Sequence, residues 1–263
     1  MCELFSLSAR HPATVHLSFE EFSRHGGGTA HHADGWGLGW YSGRRVLLLC
    51  EPTPASNSAL VRFVLSQDRA SRTFVSHIRK ATQGKICLEN TQPFRRALGD
   101  RDHLFAHNGD LRGLERFGLG FHRPIGDTDS ERAFTILLGR LEPLWLADEP
   151  PSLEARAAVV AQFAADLRPL GIANFLYSDG ELLFAHGHQR TQLSGRVEPP
   201  GLHVLKRHCD DAPMEHGGLG YRILTSGGAQ DVVLFASVPL SGEAWRPLRE
   251  GELVVVRRGE IVG

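Results

Sequence analysis

Short runs in which polar and apolar residues alternate recur along the chain and predict many β-strands. The clearest run lies near the N-terminus, at Glu3 to Ala9, and two short strand-like segments follow at Thr73 to Ile78 and His103 to His107. Alternation with a period of two places every second side chain on the same face, which is typical of strands with one buried side. Turn dipeptides predict three hairpins, which span 37–51 across Ser42-Gly43, 173–185 across Asp179-Gly180 and 252–262 across Arg258-Gly259.

Apolar residues at helical spacing predict three helices, at Ser56 to Gln67, Asp129 to Leu146 and Ser152 to Leu167. The predicted helices and strands lie in clusters and lack the regular βαβ alternation of a doubly wound fold. No internal repeat, low-complexity tract or long linker divides the chain. We therefore predict one α+β domain over residues 1–263, with many antiparallel strands.

Composition and charge narrow the possible partners. Of the 263 residues, 41% are hydrophobic and 22% are charged, as in an ordinary globular protein, and the formal net charge of -1 gives no electrostatic footprint for nucleic acid or an anionic membrane. No apolar run approaches the roughly 20 residues of a membrane span, and Glu3 stands where a signal peptide would carry basic and then apolar residues. We expect a cytoplasmic protein that binds neither nucleic acid nor membranes.

The cysteines lie far apart and lack a CxxC pair, so neither a zinc knuckle nor a disulfide framework is expected; they are Cys2, Cys50, Cys87 and Cys209. Cys2 is the exception in position. Removal of Met1 would make it the N-terminal residue, with a nucleophilic thiol and a basic α-amine in one amino acid. The free α-amine has a pKa of about 8 and can accept the thiol proton near neutral pH. The alternative is a buried strand cysteine without a chemical role.

A second candidate is the segment LFAHNGDL, residues 104–111, where an apolar strand ends at His107-Asn108-Gly109. Asn-Gly is first of all a turn signal. It also suits an oxyanion hole, because the Asn108 amide can donate to a developing negative charge while Gly109, without a Cβ, lets its N–H approach closely. Both interpretations remain open for this segment considered alone.

Two charged positions could recognise the ends of a zwitterionic substrate. In SHIRKATQG, Arg79 follows a predicted strand and offers a rigid guanidinium to a carboxylate, although a single arginine more often faces solvent. In IGDTDSERAF, Asp127, Thr128 and Asp129 stand at a predicted helix start, with Glu131 spaced for a capping arrangement. Capping would account for one of the two aspartates, and the other could bind an amine.

Taken together, these residues suit one kind of substrate. A thiol with its own base, an oxyanion hole, a cation and an anion match a γ-glutamyl amide. Its side-chain carbonyl would meet Cys2 and Asn108, its α-carboxylate Arg79 and its α-ammonium Asp129.

The segments MCELF, IRKAT, AHNGDL and DTDSE occur in the order and approximate spacing of class II glutamine amidotransferases, the N-terminal nucleophile hydrolases, and the chain resembles that family from end to end. HHADGWGLGWY and LENTQPF resemble in particular its stand-alone bacterial proteins, which are related to the γ-glutamyl hydrolase of ergothioneine synthesis. The resemblance implies a four-layer αββα sandwich of two antiparallel sheets. It also implies Cys2 as nucleophile, Asn108 and Gly109 as oxyanion hole, and Arg79, Thr82 and Asp129 as substrate-binding residues.

Other features predict no cofactor or metal. The histidines at 31, 32, 186 and 188 have no acidic partner at a recognisable metal spacing, and Gly26 to Gly28 neither follows a strand nor opens a helix as a phosphate loop would. Family members that use the released ammonia in the same chain carry a synthase domain, so we expect a separate acceptor protein or loss of the ammonia. The rival hypothesis is a binding or regulatory module for glutamine or a γ-glutamyl metabolite, which retention of Met1 would favour.

Overall fold

The computed structural model describes residues 2–14, 16–29, 32–67, 69–147, 149–209 and 229–263, apart from the side chains of 16–18 and 209. Elements are numbered in chain order. A seven-stranded antiparallel sheet has the order β13-β11-β12-β1-β4-β2-β3. Its strands are β1 (Glu3–Ala13), β2 (Trp36–Ser42), β3 (Arg45–Glu51), β4 (Ser71–Ile78), β11 (His203–Cys209), β12 (Gln230–Ala236) and β13 (Arg246–Pro247).

A six-stranded antiparallel sheet has the order β15-β14-β8-β7-β6-β5. Its strands are β5 (Phe94–Leu98), β6 (Arg101–Asn108), β7 (Asn174–Ser178), β8 (Leu182–His186), β14 (Leu253–Arg257) and β15 (Glu260–Ile261), while β9 (Arg190–Thr191) pairs with β10 (Val197–Glu198). The helices are α1 (His16–Arg24), α2 (Ala59–Leu65), α3 (Asp129–Trp145) and α4 (Leu153–Leu167). No helix among the described residues is long and apolar enough to cross a membrane.

Alternating side chains divide the interior into three apolar layers. In β1, Leu4 joins the layer between the two sheets, whereas Phe5 packs outward against Phe22 of α1, with ring centroids 5.6 Å apart. In β6, Leu104 lies between the sheets, whereas Phe105 stacks outward on Phe134 of α3. Helices α1 and α2 thus cover one sheet and α3 and α4 cover the other. The predicted four-layer αββα sandwich is confirmed.

The three predicted hairpins are confirmed as β2–β3, β7–β8 and β14–β15. The first turn is displaced by one residue, since β2 continues through Ser42 and Gly43 takes the left-handed conformation with φ 63°. Helix α1 was not predicted. Its amphipathic pattern is carried by Phe19 and Phe22 among polar neighbours, and this is too little for a clear helical period.

One end of the sandwich collects the residues singled out from the sequence. Strand β1 begins at Glu3, which pairs with Ile78 at the last position of β4, so that Cys2 and Arg79 lie next to each other just beyond the ends of neighbouring strands. Strand β6 of the other sheet ends at Asn108 on the same side. Antiparallel pairing therefore places a chain start and two strand ends in one region.

A buried acid–imidazole pair fixes α1 to the strand that carries Cys2. The Glu3 carboxylate, only 4% exposed, lies 2.6 Å from His25 Nδ1, 3.7 Å from His32 Nδ1 and within the field of Arg190. Burial opposes ionisation of Glu3, but the bond to His25 and the surrounding positive charge hold its pKa below the ordinary 4.5. The Glu3 bond in turn raises the pKa of His25 above 6.5, with Glu21 adding to the effect. Glu3 and His25 are therefore both charged between pH 4.5 and pH 6.5, the ordinary pKa values of the two groups.

We predict that Glu3→Gln destabilises the fold most between about pH 4.5 and 6.5, by about 1.5–3 kcal/mol. Because folding lowers the pKa of Glu3, its carboxylate stabilises the fold above pH 4.5, and this contribution is lost as the pH falls through the folded-state pKa. Because folding raises the pKa of His25, its imidazolium stabilises the fold below pH 6.5, and this contribution is lost as the pH rises through the folded-state pKa. Urea unfolding within that window and about three pH units above it measures the difference. Glu20→Gln, which breaks an exposed pair with Arg24, is the control and should cost under about 0.5 kcal/mol. Equal losses for Glu3→Gln at both pH values would contradict the linkage.

Candidate active site

Cys2 immediately precedes β1, and the main chain of Lys80 holds its thiol. Sγ accepts a hydrogen bond from the Lys80 N–H at 3.2 Å and donates to the Lys80 carbonyl at 3.3 Å. Loss of water around the sulfur raises the pKa of the thiol, although the Lys80 N–H, the N-terminal charge and Arg79 act in the opposite direction. The thiol is therefore protonated near neutral pH and needs a proton acceptor before it can attack a carbonyl.

Asn108 crosses from the other sheet to the same residue. Its Nδ2 donates to the Cys2 carbonyl oxygen at 2.6 Å, although the two residues are 106 positions apart. An amide nitrogen carries two hydrogens, so one donor remains. Asn108 is 1% exposed, and its Oδ1 has no partner among the described residues. The side chain can therefore donate to a second acceptor beside the Cys2 thiol.

Gly109 can be occupied only by glycine. Its φ is 155°, and a Cβ there would lie 1.8 Å from the carbonyl oxygen of Ile172. The same carbonyl accepts from His107 Nε2 at 3.1 Å, while His107 Nδ1 lies 2.9 Å from the Ser130 hydroxyl. Burial lowers the pKa of His107, so a neutral imidazole ties the Asn-Gly segment to α3. Within the described residues, the Gly109 N–H donates to no main-chain acceptor.

Arg79 is 3% exposed and holds the loop that follows it. Its Nη1 donates to the Lys85 carbonyl at 3.0 Å, and its Nη2 donates to the carbonyls of Gln83 at 3.0 Å and Gly84 at 3.3 Å. No carboxylate within the described residues pairs with this guanidinium. Three of its five N–H donors are thus bonded to carbonyl oxygens, and its positive charge is not neutralised.

Thr82 contacts Asp110, an acid that the sequence reasoning missed. The Thr82 hydroxyl donates to Asp110 Oδ1 at 2.6 Å, and Gln83 Nε2 lies 3.4 Å from the same oxygen. Asp110 follows Gly109, so it joins the loop after Arg79 to the Asn-Gly segment.

Asp129 is the first residue of α3, and its carboxylate turns toward the Asn-Gly segment. Oδ2 accepts the Leu111 N–H at 2.7 Å and Oδ1 accepts the Ser130 N–H at 2.8 Å. Neither aspartate is the N-cap, contrary to expectation. Thr128 caps the helix by accepting the Glu131 N–H at 3.2 Å, and the Asp127 carboxylate binds the Asn90 amide. The Asp129 carboxylate is left to anchor the segment 109–111.

These contacts join Asn108 to Cys2 directly and place Gly109 next to Asn108. They connect Thr82 and Asp129 to the segment 109–111 and leave Arg79 beside Cys2. Asp34 was also missed, although it lies in the quoted HHADGWGLGWY; its Oδ2 accepts the Ala81 N–H at 2.8 Å. His31 lies outside the described residues. Among those described, no group of three His, Cys, Asp or Glu side chains is arranged to hold a metal ion.

Comparison with known proteins agrees along the whole chain. The family model "Glutamine amidotransferases class-II" matches residues 1–263. The Escherichia coli (strain K12) protein named "Putative glutamine amidotransferase YafJ" is 36% identical over 264 residues, with all of both chains covered. An uncharacterized protein of Methanocaldococcus jannaschii, MJ1515, is 33% identical over 266 residues, which cover all of this chain and 71% of that protein.

Solved structures give the same result. The crystal structure of a predicted glutamine amidotransferase from Pseudomonas aeruginosa PA01 matches with a TM-score of 0.72 at 30% identity over all of both chains. The glutamine phosphoribosylpyrophosphate amidotransferase of B. subtilis matches with a TM-score of 0.60 at 14% identity over 99% of this chain and 48% of that chain, which is a likeness of fold. The chain belongs to the class II glutamine amidotransferases.

Proposed function

We propose that this protein hydrolyses a γ-glutamyl amide through a thioester on Cys2. The observation that carries the proposal is the surroundings of the thiol. Main-chain atoms of Lys80 hold Sγ, the Asn108 amide lies against the same residue, and no imidazole within the described residues bonds to the sulfur. A partly buried, protonated thiol without a histidine partner among the described residues requires another base, and an N-terminal cysteine carries one in its α-amine.

The reaction begins when the α-amine of the processed chain accepts the Cys2 thiol proton. The sulfur then adds to the side-chain carbonyl of the substrate, forming the C–S bond and leaving negative charge on the carbonyl oxygen. Collapse of this tetrahedral intermediate breaks the C–N bond, and the α-ammonium returns its proton to the departing amine. Water, deprotonated by the same α-amine, then cleaves the thioester, so that glutamate leaves and the thiol is restored.

The tetrahedral oxygen is stabilised by the second Nδ2 hydrogen of Asn108 and by the Gly109 N–H. Both groups are held in place before the reaction: Asn108 by the Cys2 carbonyl, and Gly109 by the close approach of Ile172. Preorganised donors need little rearrangement when charge develops, and this makes such sites effective.

The glutamyl α-groups are assigned to Arg79 and Asp129. Arg79 retains two N–H donors beyond those bonded to loop carbonyls, enough for a carboxylate. Asp129 already accepts two main-chain N–H groups and has lone pairs left for an ammonium. Thr82 contributes through Asp110, which holds the loop at the site.

Two substrates suit this chemistry. Either glutamine is cleaved and its ammonia passes to a separate acceptor protein, or a larger γ-glutamyl compound is hydrolysed to glutamate; a screen of glutamine, glutathione and other γ-glutamyl amides for glutamate release separates them. Action in the cytoplasm stays a prediction. A protein that keeps Met1 in its native form would instead be a binding module, because an acylated nitrogen is not a base.

Cys2 should be the residue labelled by diazo-oxo-norleucine, a γ-glutamyl electrophile. We expect stoichiometric labelling of protein lacking Met1, with the adduct on Cys2 by peptide mass spectrometry. Cys87→Ser is the matched control, because Cys87 is also a partly buried thiol, bonded to a main-chain carbonyl, and its loss should leave labelling unchanged. Labelling that persists in Cys2→Ser would contradict the assignment of the nucleophile.

Asn108→Ala should lower kcat by about 10²–10³ and leave KM nearly unchanged. The amide meets negative charge that exists only in the tetrahedral intermediate, so its loss affects the transition state more than the bound substrate. Steady-state kinetics on one γ-glutamyl substrate measures both constants, and circular dichroism checks that the fold survives the loss of the bond to Cys2. An Asn108→Ala variant that changes KM alone would exclude this role.

Arg79→Ala should lower kcat/KM by about ten- to a hundred-fold, mainly through KM, because a charge-assisted bond to the substrate carboxylate is lost. The same change also frees the carbonyls of residues 83–85. Asn90→Ala is the control for that second effect, since the Asn90 amide donates to the same Lys85 carbonyl at 3.0 Å but carries no charge. We expect Asn90→Ala to raise KM much less. Equal increases in the two variants would show that Arg79 acts only by holding the loop.

A further inference from the structure

The outer strands of the two large sheets differ in how they are protected from other chains. Strands β13 and β15 have two residues each, and β5 carries Arg95 and Arg96. Strand β3 has seven residues, and its central five, VLLLC, include no charge and no proline. Short strands and charged side chains prevent edge-to-edge pairing, whereas a long apolar edge invites it. By this criterion β3 is the unprotected edge.

The geometry of the β2–β3 hairpin determines which main-chain groups of β3 point away from the sheet. A two-residue turn makes Ser42 and Arg45 a hydrogen-bonded pair, so the odd-numbered residues of β3 bond to β2 and the even-numbered ones point outward. Val46 agrees with this pattern: its N–H donates to the Asp102 carboxylate at 2.9 Å, and its carbonyl accepts from Arg95 at 3.1 Å.

Beyond Val46, the outward groups lack partners. Within the described residues, β3 pairs with β2 alone, and no further hydrogen bond involves the main chain of Leu48 or Cys50. Pro52 follows the strand and has no N–H. The two N–H and two carbonyl groups of Leu48 and Cys50 form a short free edge, which we call the β3 edge. It opens on a groove of about 760 Å³, lined by β3 on one side and by Pro93 to Ala97 on the other.

Apolar side chains accompany this edge. Leu47 is 48% exposed in the strand, and Phe63 of α2, on the same outer face of the sheet, is 51% exposed. Unpaired main-chain groups beside exposed apolar side chains are the features that an added strand would satisfy.

We propose that the β3 edge pairs with the β3 edge of a second copy of this chain, antiparallel about a two-fold axis at Leu49. In this register the Leu48 N–H of each copy donates to the Cys50 carbonyl of the other, and each Cys50 N–H donates to a Leu48 carbonyl. Four hydrogen bonds form, and none displaces Asp102 or Arg95 from Val46. The two Leu49 side chains face each other on the axis.

Charge favours a second copy over a different chain. Arg45 at one end of β3 and Glu51 at the other lie on the same face, because they are six residues apart. About an axis at Leu49, Arg45 lies diagonally across from Glu51 of the second copy, within reach of a long side chain. Arg45 Nη1 also lies 3.4 Å from Asp102 Oδ1. Because Glu51 Oε2 accepts from Trp36 and Ser58, the contact between the copies would use Glu51 Oε1. The strand is therefore complementary to itself. A two-fold axis at Leu48 would instead pair Cys50 with Val46 of the other copy. The Val46 N–H and carbonyl are not free for this pairing, because they already bond to Asp102 and Arg95.

The pairing is independent of the proposed reaction. Strands β2 and β4 lie between β3 and the strand that carries Cys2. Loss of dimerisation and loss of activity can therefore be measured separately.

Disulfide cross-linking tests the register in the full chain. Leu49→Cys should form an intermolecular disulfide under mild oxidation, because residues on the axis in a non-hydrogen-bonded pair bring their Cα atoms within disulfide range. Leu47→Cys is the matched control: it carries the same native cysteines, and the register places Glu51 of the second copy, not a cysteine, opposite position 47. We expect dimer on a non-reducing gel for Leu49→Cys alone. Cross-linking at position 47 with none at 49 would overturn the proposal.

A second experiment tests the main-chain bonds. Leu48→Pro removes an N–H that points away from the sheet, so the fold, followed by circular dichroism, should persist. Sedimentation should show a dimer for the wild type and for Leu48→Met, and dimer affinity about ten- to a hundred-fold weaker for Leu48→Pro. A monomeric wild type, including one that pairs β3 only with a different protein, would overturn the proposal, as would unchanged dimer affinity in Leu48→Pro.

Discussion

The contact on which the rest of the site depends is the hydrogen bond from the Asn108 amide to the Cys2 carbonyl, because it joins the two sheets where the chain begins. Cys2 is already placed by its own sheet, since β1 lies between β4 and β12. Asn108 comes from the other sheet and would have no reason to approach Cys2 unless the two layers were stacked with these ends together. The layer of Leu4, Val75, Leu104 and Ala106 between the sheets sets that alignment. The apolar core therefore determines the position of the site.

Burial also determines which groups near the site can accept a proton. His77 is fully buried next to this end of β4, and burial lowers its pKa to about 3. Burial likewise lowers the pKa of His107, and it brings that of His32 to about 4. All three are neutral at neutral pH, and none bonds to the Cys2 sulfur. Among the described residues no imidazole is therefore paired with the Cys2 thiol, and this is the observation on which the proposal of an N-terminal base rests.

The sequence predicted the features that individual residue types encode. Period-two alternation and Gly-containing turns indicated the hairpins, and helical spacing indicated α3 and α4, whose ends fall within one residue of the prediction. Residue chemistry also selected Cys2 and Asn108. Residue chemistry could not predict the hydrogen-bond partners of the Cys2 thiol, because main-chain atoms of Lys80 make these contacts and any residue type could supply them.

The sequence likewise could not decide between similar residues, and the three-dimensional structure was needed to tell their roles apart. Asp127 and Asp129 are equivalent in sequence, but only Asp129 faces the segment 109–111, since Thr128 takes the cap and Asn90 takes Asp127. Asp110 carried no signal beyond its place in AHNGDL, and its partner Thr82 lies 28 positions away. Such pairings depend on which loops meet, and this is a property of the tertiary structure.

Arg79 connects the electrostatics of the site with its architecture. A buried charge is costly unless hydrogen bonds and an opposite charge compensate it. Three loop carbonyls supply the hydrogen bonds, but they carry only partial charges, and no carboxylate within the described residues pairs with the guanidinium. The Arg79 charge lowers the pKa of the Cys2 thiol against the larger effect of lost water, whereas the Asp110 carboxylate raises it. One side chain thus orders the loop that follows β4 and makes the neighbouring thiol easier to ionise.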